Sequence, residues 1–483
     1  LNKRSKYRIE KDTLGSLSVP KNAYYGIFTV RAKRNFNLTG STTHPILIKS
    51  LGTVKQAAAL ANMEIGWLDK RKGRAIVRAC QEVQAGKFDD QFPLDMLQAG
   101  AGTPVNMNAN EVIANRAIEI LGGHKGDYSV VHPNDHVNMG QSSNNEVPSA
   151  VRIGALLLLQ GLLNELSALE RTLAKKAKEF DKIVKVGRTH LQDAVPIRLG
   201  QEFDAYREIV LRGRVNILKS ALDLTELGMG GTAVGTGINA HPRFDRLAAK
   251  YVSRITGIKF TATSSHVYLT QSMAAFAHFA SALEVFCSEL IKTCNDLTLL
   301  SSGPKAGLHE IILPEVEPGS SIMPGKINPS IVEAFKMVCL QVQGNCYTVK
   351  KTASEGNLQL NIFAPLIAHN LFSALEISSR GINMLRIFCI EGIQANTKRI
   401  QELNVRSLVT ATALNPYIGY ARTAELVKES LARNLPLKTV LLEKKWFEKK
   451  ELETILDPHR LTSPQDFDKN LQKKVALRLK KAK

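Results

Sequence analysis

The stretch Gly319-Ser320-Ser321-Ile322-Met323-Pro324-Gly325-Lys326-Ile327-Asn328-Pro329 combines two adjacent hydroxyls with a lysine and an asparagine. Such a loop can bind a carboxylate through the lysine and the amide while a serine oxygen faces the same molecule. Asn328-Pro329 then opens a helical pattern, whose free N–H groups favour an anion. A surface loop ahead of a capped helix would use the same residue types, so composition alone does not decide. Three more polar loops recur far from this one: Gly100-Ala101-Gly102-Thr103 through Asn108, Gly140-Gln141-Ser142-Ser143-Asn144-Asn145, and Gly187-Arg188-Thr189-His190-Leu191-Gln192-Asp193. Each alone is explained by helix capping and turn formation.

The elements that would carry these loops are helical. Apolar residues recur at helical spacing from Pro45 to Ala85, and a helix is expected over about 108–121. Long helical stretches with few prolines follow near 148–180, 196–228, 266–301, 330–352 and 362–393, joined by Gly- and Pro-rich connections at 187–196, 228–242 and 303–329. Their mixture of Ala, Gly and Ser with larger apolar residues argues for a central bundle. Residues 1 to about 45 read as loop-rich, and strand-like alternation is nearly absent. Beyond Asn396 the segments shorten into a small helical unit.

Composition narrows the class. The chain has 483 residues, 44% hydrophobic and 22% charged, as an ordinary globular protein has. Its six cysteines are scattered without metal-ligand pairing. Cys287/Cys294 and Cys339/Cys346 are seven apart within helical patterns, so they read as buried thiols, and a reducing cytoplasm fits. Leu1 to Lys11 lacks the apolar run of a signal peptide. Val151 to Leu163, the most apolar segment, is too short to span a bilayer and reads as a buried helix. The net charge of +20 raises nucleic acid as a partner. The basic residues are spread, however, and cluster only in the tail from Lys473 to Lys483, so solvated helix faces and steering of a dianionic substrate account for the charge better.

The Gly319–Pro329 string resembles the signature of the aspartase/fumarase family, GSSxMPxKxNP, at every fixed position. The other three loops resemble motifs of the same family in the same order, from about Tyr7 to Pro464. The resemblance implies an all-α lyase of three domains, 1–143, 144–396 and 397–483, with a long central helical bundle and a homotetramer built around a multi-helix core. It implies elimination of ammonia, water or a larger amine from a succinyl-type dicarboxylate. By that resemblance Ser320 is the base. Thr103, Ser142, Ser143 and Ser321 surround the carboxylate that takes up charge, and Lys326, Asn328 and Thr189 hold the other carboxylate. Asn144 and His190 face the leaving group. His190 is the alternative base, since imidazole titrates in a useful range. Glu333 has two readings: the family pairs it with the loop histidine, and Ser330-x-x-Glu333 is also a capping box.

Fumarases resemble the chain too, notably at His190 and at His132-Pro133-Asn134-Asp135, a second carboxylate site in some of them. Ala23-Tyr24-Tyr25-Gly26, Gly100–Thr103, Leu299–Pro304 and Leu358–Asn361 look more like aspartases, which favours aspartate as the substrate and ammonia as the leaving group. Fumarate hydratase is the rival enzyme, and a basic binding protein on the same scaffold is the rival of another class. No organic cofactor is expected, because no phosphate-cradling glycine motif appears. A divalent metal activates some relatives, yet no ligand cluster for one is present. One departure stands out: the family reads Ser-Ser/Thr-Asn-Asp and then an aromatic two places later, whereas this chain has Asn145, Glu146 and Val147. Losing that carboxylate is expected to alter substrate preference or rate, with Glu146, as a helix neighbour, pointing elsewhere.

Overall fold

Helix follows helix wherever the apolar spacing demands it, and the breaks fall at residues that cannot continue one. A computed structural model describes residues 6–481; the expected polar beginning at Leu1–Ser5 and the end of the basic tail, Ala482 and Lys483, lie outside the described residues. The order is β1 (Tyr7–Asp12), β2 (Gly15–Pro20), α1 (Ile27–Asn35), α2 (Pro45–Ile65), α3 (Lys70–Gln84), α4 (Thr103–Ile120), α5 (Ser143–Glu179), β3 (Val184–Thr189), β4 (Gln192–Arg198), α6 (Leu199–Ala221), β5 (Glu226–Leu227), α7 (Phe244–Thr256), β6 (Thr261–Ala262), α8 (His266–Gln271), α9 (Ala274–Leu300), β7 (Ile311–Ile312), α10 (Ser330–Ala353), α11 (Ala364–Phe388), β8 (Gln394–Ala395) and the short helices α12 (Thr397–Arg406) to α17 (Lys469–Lys481). The fold is all-α, with the strands confined to two-stranded sheets.

Three expectations are corrected in detail. The loop-rich beginning contains an antiparallel hairpin, β1–β2, turned where Asp12 Oδ1 accepts from Leu14 N–H at 2.8 Å and Gly15 takes φ +109°. The run from Pro45 to Ala85 is two helices. Gly66 ends α2 at φ +92°, and the Asp69 carboxylate starts α3 by accepting from Arg71 and Lys72 N–H. The connection at 187–196 is the β3–β4 hairpin, and α6 begins only after it.

Contacts divide the chain into two compact units. The first holds Leu1–Glu165, Gly213–Ser288 and Val338–Arg380; the second holds Leu166–Arg212, Glu289–Met337 and Gly381–Lys483. In the first unit α2 is buried on nearly all sides, which a helix tolerates only when neighbours cover it all round. The long helices there are in close contact. Gly154 of α5 faces the Phe372 ring, Gly213 of α6 faces the Phe286 ring, and Arg152 lies 5.0 Å from the Phe276 ring centroid. A Cβ at Gly213 would fall 2.1 Å from Phe286, so the small residue sets how near α6 and α9 come. All six cysteines are free and buried. The apolar segment at 151–163 is part of the 37-residue α5, and both α5 and α9 are long and apolar enough to cross a membrane. The apolar window of α5 is 72% buried within the protein and that of α9 only 39%.

In the second unit the β3–β4 hairpin is anchored by a buried charge network. Lys185 Nζ lies 3.0 Å from Glu202 Oε1 and 3.1 Å from Glu310 Oε2, and Arg188 Nη1 reaches Glu310 at 3.0 and 3.1 Å. Glu310 is fully buried and immediately precedes β7, which leads into the Gly319–Pro329 loop.

Candidate active site

The Gly319–Pro329 loop is exposed over Ser321–Ile327, but its backbone is closed on itself. Gly319 N–H donates to the Lys326 carbonyl at 2.9 Å, and Asn328 Nδ2 donates to the Gly319 carbonyl at 2.7 Å. Lys326 Nζ donates to Asn328 Oδ1 at 2.6 Å, so the expected carboxylate pair is held together. A Cβ on Gly319 would sit 2.4 Å from the Lys326 carbonyl, which is why the closure requires glycine there. Within the loop Ser320 Oγ accepts from Ile322 N–H at 3.2 Å and from Met323 N–H at 3.0 Å. Donors aimed at a hydroxyl oxygen favour its deprotonated form, the form a serine base needs.

Thr189 and His190 stand at the tip of the β3–β4 hairpin, not ahead of a helix as the sequence suggested. Thr189 pairs with Gln192, leaving His190 and Leu191 as a two-residue turn with φ +55° and +59°. Positive φ at both central residues matches the twist of a tight hairpin, but neither residue is the glycine or asparagine that usually accepts it. The exposed tip is held from beneath by Arg188 and Lys185 on Glu310. Glu333, in the first turn of α10, is exposed, and its N–H donates to the Pro329 carbonyl at 3.0 Å. The expected capping box is not made: Ser330 Oγ is buried without a hydrogen-bond partner among the described residues.

The remaining site residues lie in the other unit, at the starts of α4 and α5. Thr103 Oγ1 donates to the Gly100 carbonyl at 2.6 Å and lies 2.8 Å from Ser143 Oγ. Ser142 precedes the first turn of α5; its Oγ accepts from Asn144 N–H at 3.3 Å, and its carbonyl accepts from Asn145 and Glu146 N–H. The first-turn N–H groups of this 37-residue helix leave a partial positive charge beside the two serines. Asn144 Nδ2 donates to the Ala233 carbonyl at 2.7 Å. Val147, at the position where the family has an aromatic, packs against Gly102: a Cβ there would meet it at 2.7 Å. The missing side chain at Gly102 thus lets the two helix starts approach, where Thr103 meets Ser143.

Thr103 also lines a cavity of about 620 Å³ with Lys11, Arg31, Glu111, His132 and Asn134. The His132 ring caps its own turn, Nδ1 accepting from Asn134 and Asp135 N–H at 3.2 Å. Behind α5, Lys55 is fully buried with Nζ on Asn138 Oδ1 at 2.8 Å and Gln141 Oε1 at 3.0 Å, and Glu146 is buried nearby. Sequence reasoning missed Lys55 and Glu310. A lysine inside the apolar run Ser50–Leu60 was the available signal for the first. Among the described residues no group of three or more His, Cys, Asp or Glu is gathered as for a metal ion.

Comparison with known proteins gives the same picture. The family described as "Lyase" matches residues 15–344, and "Fumarase C C-terminus" matches 410–463. An aspartate ammonia-lyase of Helicobacter pylori is 45% identical over 96% of this chain and 99% of its own length. A fumarate hydratase class II of Bradyrhizobium diazoefficiens is 45% identical over 95% of this chain and 97% of its own. A solved fumarate lyase:delta crystallin structure from Brucella melitensis, bound to cobalt, superposes with a TM-score of 0.92 at 44% identity, covering 95% of this chain and all of that one. Motifs, fold and near full-length similarity agree, and the chain belongs to the aspartase/fumarase superfamily of lyases.

Proposed function

We propose that this lyase is an aspartate ammonia-lyase, converting L-aspartate reversibly into fumarate and ammonia. The observation that supports elimination most directly is Ser320 Oγ at the focus of two backbone N–H groups. As an alkoxide it takes a proton from the substrate carbon beside a carboxylate. The electron pair moves into that carboxylate, and Thr103, Ser142, Ser143 and Ser321 donate to the resulting dianion. Lys326, Asn328 and Thr189 hold the second carboxylate. Collapse of the dianion forms the double bond and breaks the C–N bond, and the amine leaves as ammonia toward Asn144 and His190, with Glu333 supporting the charge on His190.

The preference for an amine rests on Asn144. Its amide is fixed through Nδ2, and the remaining Oδ1 can only accept, which suits an ammonium group rich in N–H donors. The name of the Helicobacter pylori relative supports the same choice. Fumarate hydratase remains the second reading, supported by the name of the Bradyrhizobium relative and by the ordered His132–Asp135 turn.

A homotetramer is part of the proposal. The exposed apolar side chains Val285 on α9 and Leu340 and Tyr347 on α10 offer the surface that other copies would cover, and loops from different subunits would then complete each site. The domain boundaries at 143 and 396 are retained as the functional organisation, and the buried free thiols support a cytoplasmic location. The test is to incubate the purified protein with aspartate or with malate and follow fumarate absorbance. Fumarate from aspartate, reversed by ammonia, supports the proposal; turnover of malate alone assigns the hydratase, and neither rejects both.

A further inference from the structure

Two buried opposite charges lie behind the loop that presents Ser142 and Ser143, and the reaction outlined above uses neither. Lys55 and Glu146 are both fully buried, on α2 and in the first turn of α5. Lys55 Nζ holds the side-chain oxygens of Asn138 and Gln141, and Asn138 Nδ2 in turn donates to the Gln141 carbonyl at 3.2 Å. The turn leading into Ser142 is therefore built around this ammonium group. Glu146 has no such support. The Gly230 N–H lies toward its carboxylate, yet neither oxygen reaches hydrogen-bond geometry with any group among the described residues. A carboxylate left so poorly solvated is costly unless it is protonated or faces a positive charge.

We propose that Glu146 is a positioning residue: a buried, titratable counter-charge to Lys55 that sets the electrostatic field at the Ser142–Ser143 anion site. This inference rests on the reading of that site as a dicarboxylate site. The chain lacks a carboxylate at Asn145, whose Nδ2 instead donates to Thr270 Oγ1 at 2.9 Å, and carries a fully buried one at the next position. Burial pushes Glu146 up to about 7, opposed by the charge of Lys55; burial likewise pushes Lys55 down to about 8, opposed by Glu146. The other titratable group that acts on the pair is the Cys80 thiol, pushed up by burial and opposed by the charge of Lys55. With Glu146 protonated, the Lys55 charge behind Ser142 is uncompensated and a dianion is favoured. With Glu146 ionised, the field is largely cancelled.

The experiment uses succinate as the probe, with binding measured by calorimetry at about pH 6 and about pH 7.5 for wild type, Glu146→Gln and Glu146→Asp. Removing one charge at this range is expected to change affinity about threefold to tenfold. Glu146→Gln should match wild type at the lower pH and bind more tightly by that factor at the higher, while Glu146→Asp keeps the wild-type slope. In aspartate turnover the same variant should shift KM more than kcat. Parallel pH dependence in wild type and Glu146→Gln overturns the proposal. Should Glu146→Gln fail to fold, the double variant Lys55→Met, Glu146→Leu removes both charges with similar volume, and retention of the wild-type slope there overturns it equally. If wild type binds no succinate at all, the dicarboxylate reading itself fails. The pair is then read from melting temperature: Glu146→Gln should gain on wild type between about pH 5 and 7.5, because the native Glu146 binds its proton more tightly than the unfolded chain does. A constant difference rejects the counter-charge.

Discussion

Lys185 Nζ lies 3.1 Å from Glu310 Oε2, and this buried contact joins the hairpin that carries Thr189 and His190 to the segment that runs into the Gly319–Pro329 loop. Arg188 meets the same carboxylate, so two cations on one strand converge on a single anion. The backbone repeats the link, since Glu310 N–H donates to the Leu300 carbonyl at 2.8 Å and Asn396 N–H to the Glu310 carbonyl at 2.9 Å. Two loops far apart in sequence therefore share one buried anchor.

Replacing Glu310 by Gln should consequently be severe. It leaves buried Lys185 with Glu202 as its remaining anion and half-buried Arg188 facing a neutral amide, and breaking a buried ion pair from one side costs about 3–5 kcal/mol. Urea unfolding should show an unfolding free energy lowered by that amount, with the midpoint falling accordingly, and any folded fraction should lose kcat as the hairpin tip loosens. A stability change within about 0.5 kcal/mol, the usual size for surface substitutions, would show that the network is not an anchor.

Ser320 and Lys326 are close in the same loop but are assigned different work. Ser320→Ala removes the atom on which the Ile322 and Met323 N–H groups converge, and kcat for fumarate release should fall by about a thousandfold or more with circular dichroism unchanged. Lys326→Ala removes a charged partner of the substrate, so KM should rise by about a hundredfold while kcat changes less. Near-normal kcat in the first variant rejects Ser320 as base; an unchanged KM in the second rejects the carboxylate role.

Gly319→Ala tests the loop's closure without touching a reactive group. The added Cβ would press on the Lys326 carbonyl and on Asn328 N, so the Gly319–Lys326 and Asn328–Gly319 hydrogen bonds cannot both persist. Activity should drop at least tenfold by loss of geometry alone, a typical cost for misplacing a bound substrate by about 1 Å. Global stability should hold, because the loop is exposed. Wild-type turnover in this variant would mean that the closed loop is not the working form.

How far these features could be read in advance differs by the kind of signal. The long helices announce themselves because burial of one face forces apolar residues to recur, as at Ile331, Phe335, Val338 and Val342, all within α10. The signature loop is legible because its chemistry lies in consecutive residues. The β3–β4 hairpin is not, since His190 and Leu191 occupy a turn that local sequence rarely assigns to them and long-range contacts to Glu310 hold it there. Lys55 escapes notice for a similar reason: what makes it tolerable inside α2 is the pair of amides at Asn138 and Gln141, far along the chain. Ser330 misleads in the opposite direction, having the spacing of a cap but an unpartnered hydroxyl.

Acid sensitivity should centre on Asp95, which braces the start of α4. Burial pushes its carboxyl up, but donors outweigh that: Thr39, Leu97 and Leu38 N–H and the Thr39 hydroxyl together hold it down to about 2. The Asp95 carbonyl accepts from Gln98 Nε2, and Gln98 Oε1 accepts from Val105 N–H at 2.7 Å, two residues past Thr103. Because the native carboxyl has the lower pKa, the unfolded chain binds the proton more readily, and this stabilisation is present above about pH 4 and lost as pH falls toward 2. Asp95→Asn should therefore be less stable than wild type at neutral pH, with the gap closing below about pH 4. Thermal melts of the two proteins from about pH 7 to 3 measure that gap. If it stays constant across the range, the Asp95 charge is not what holds this turn beneath Thr103.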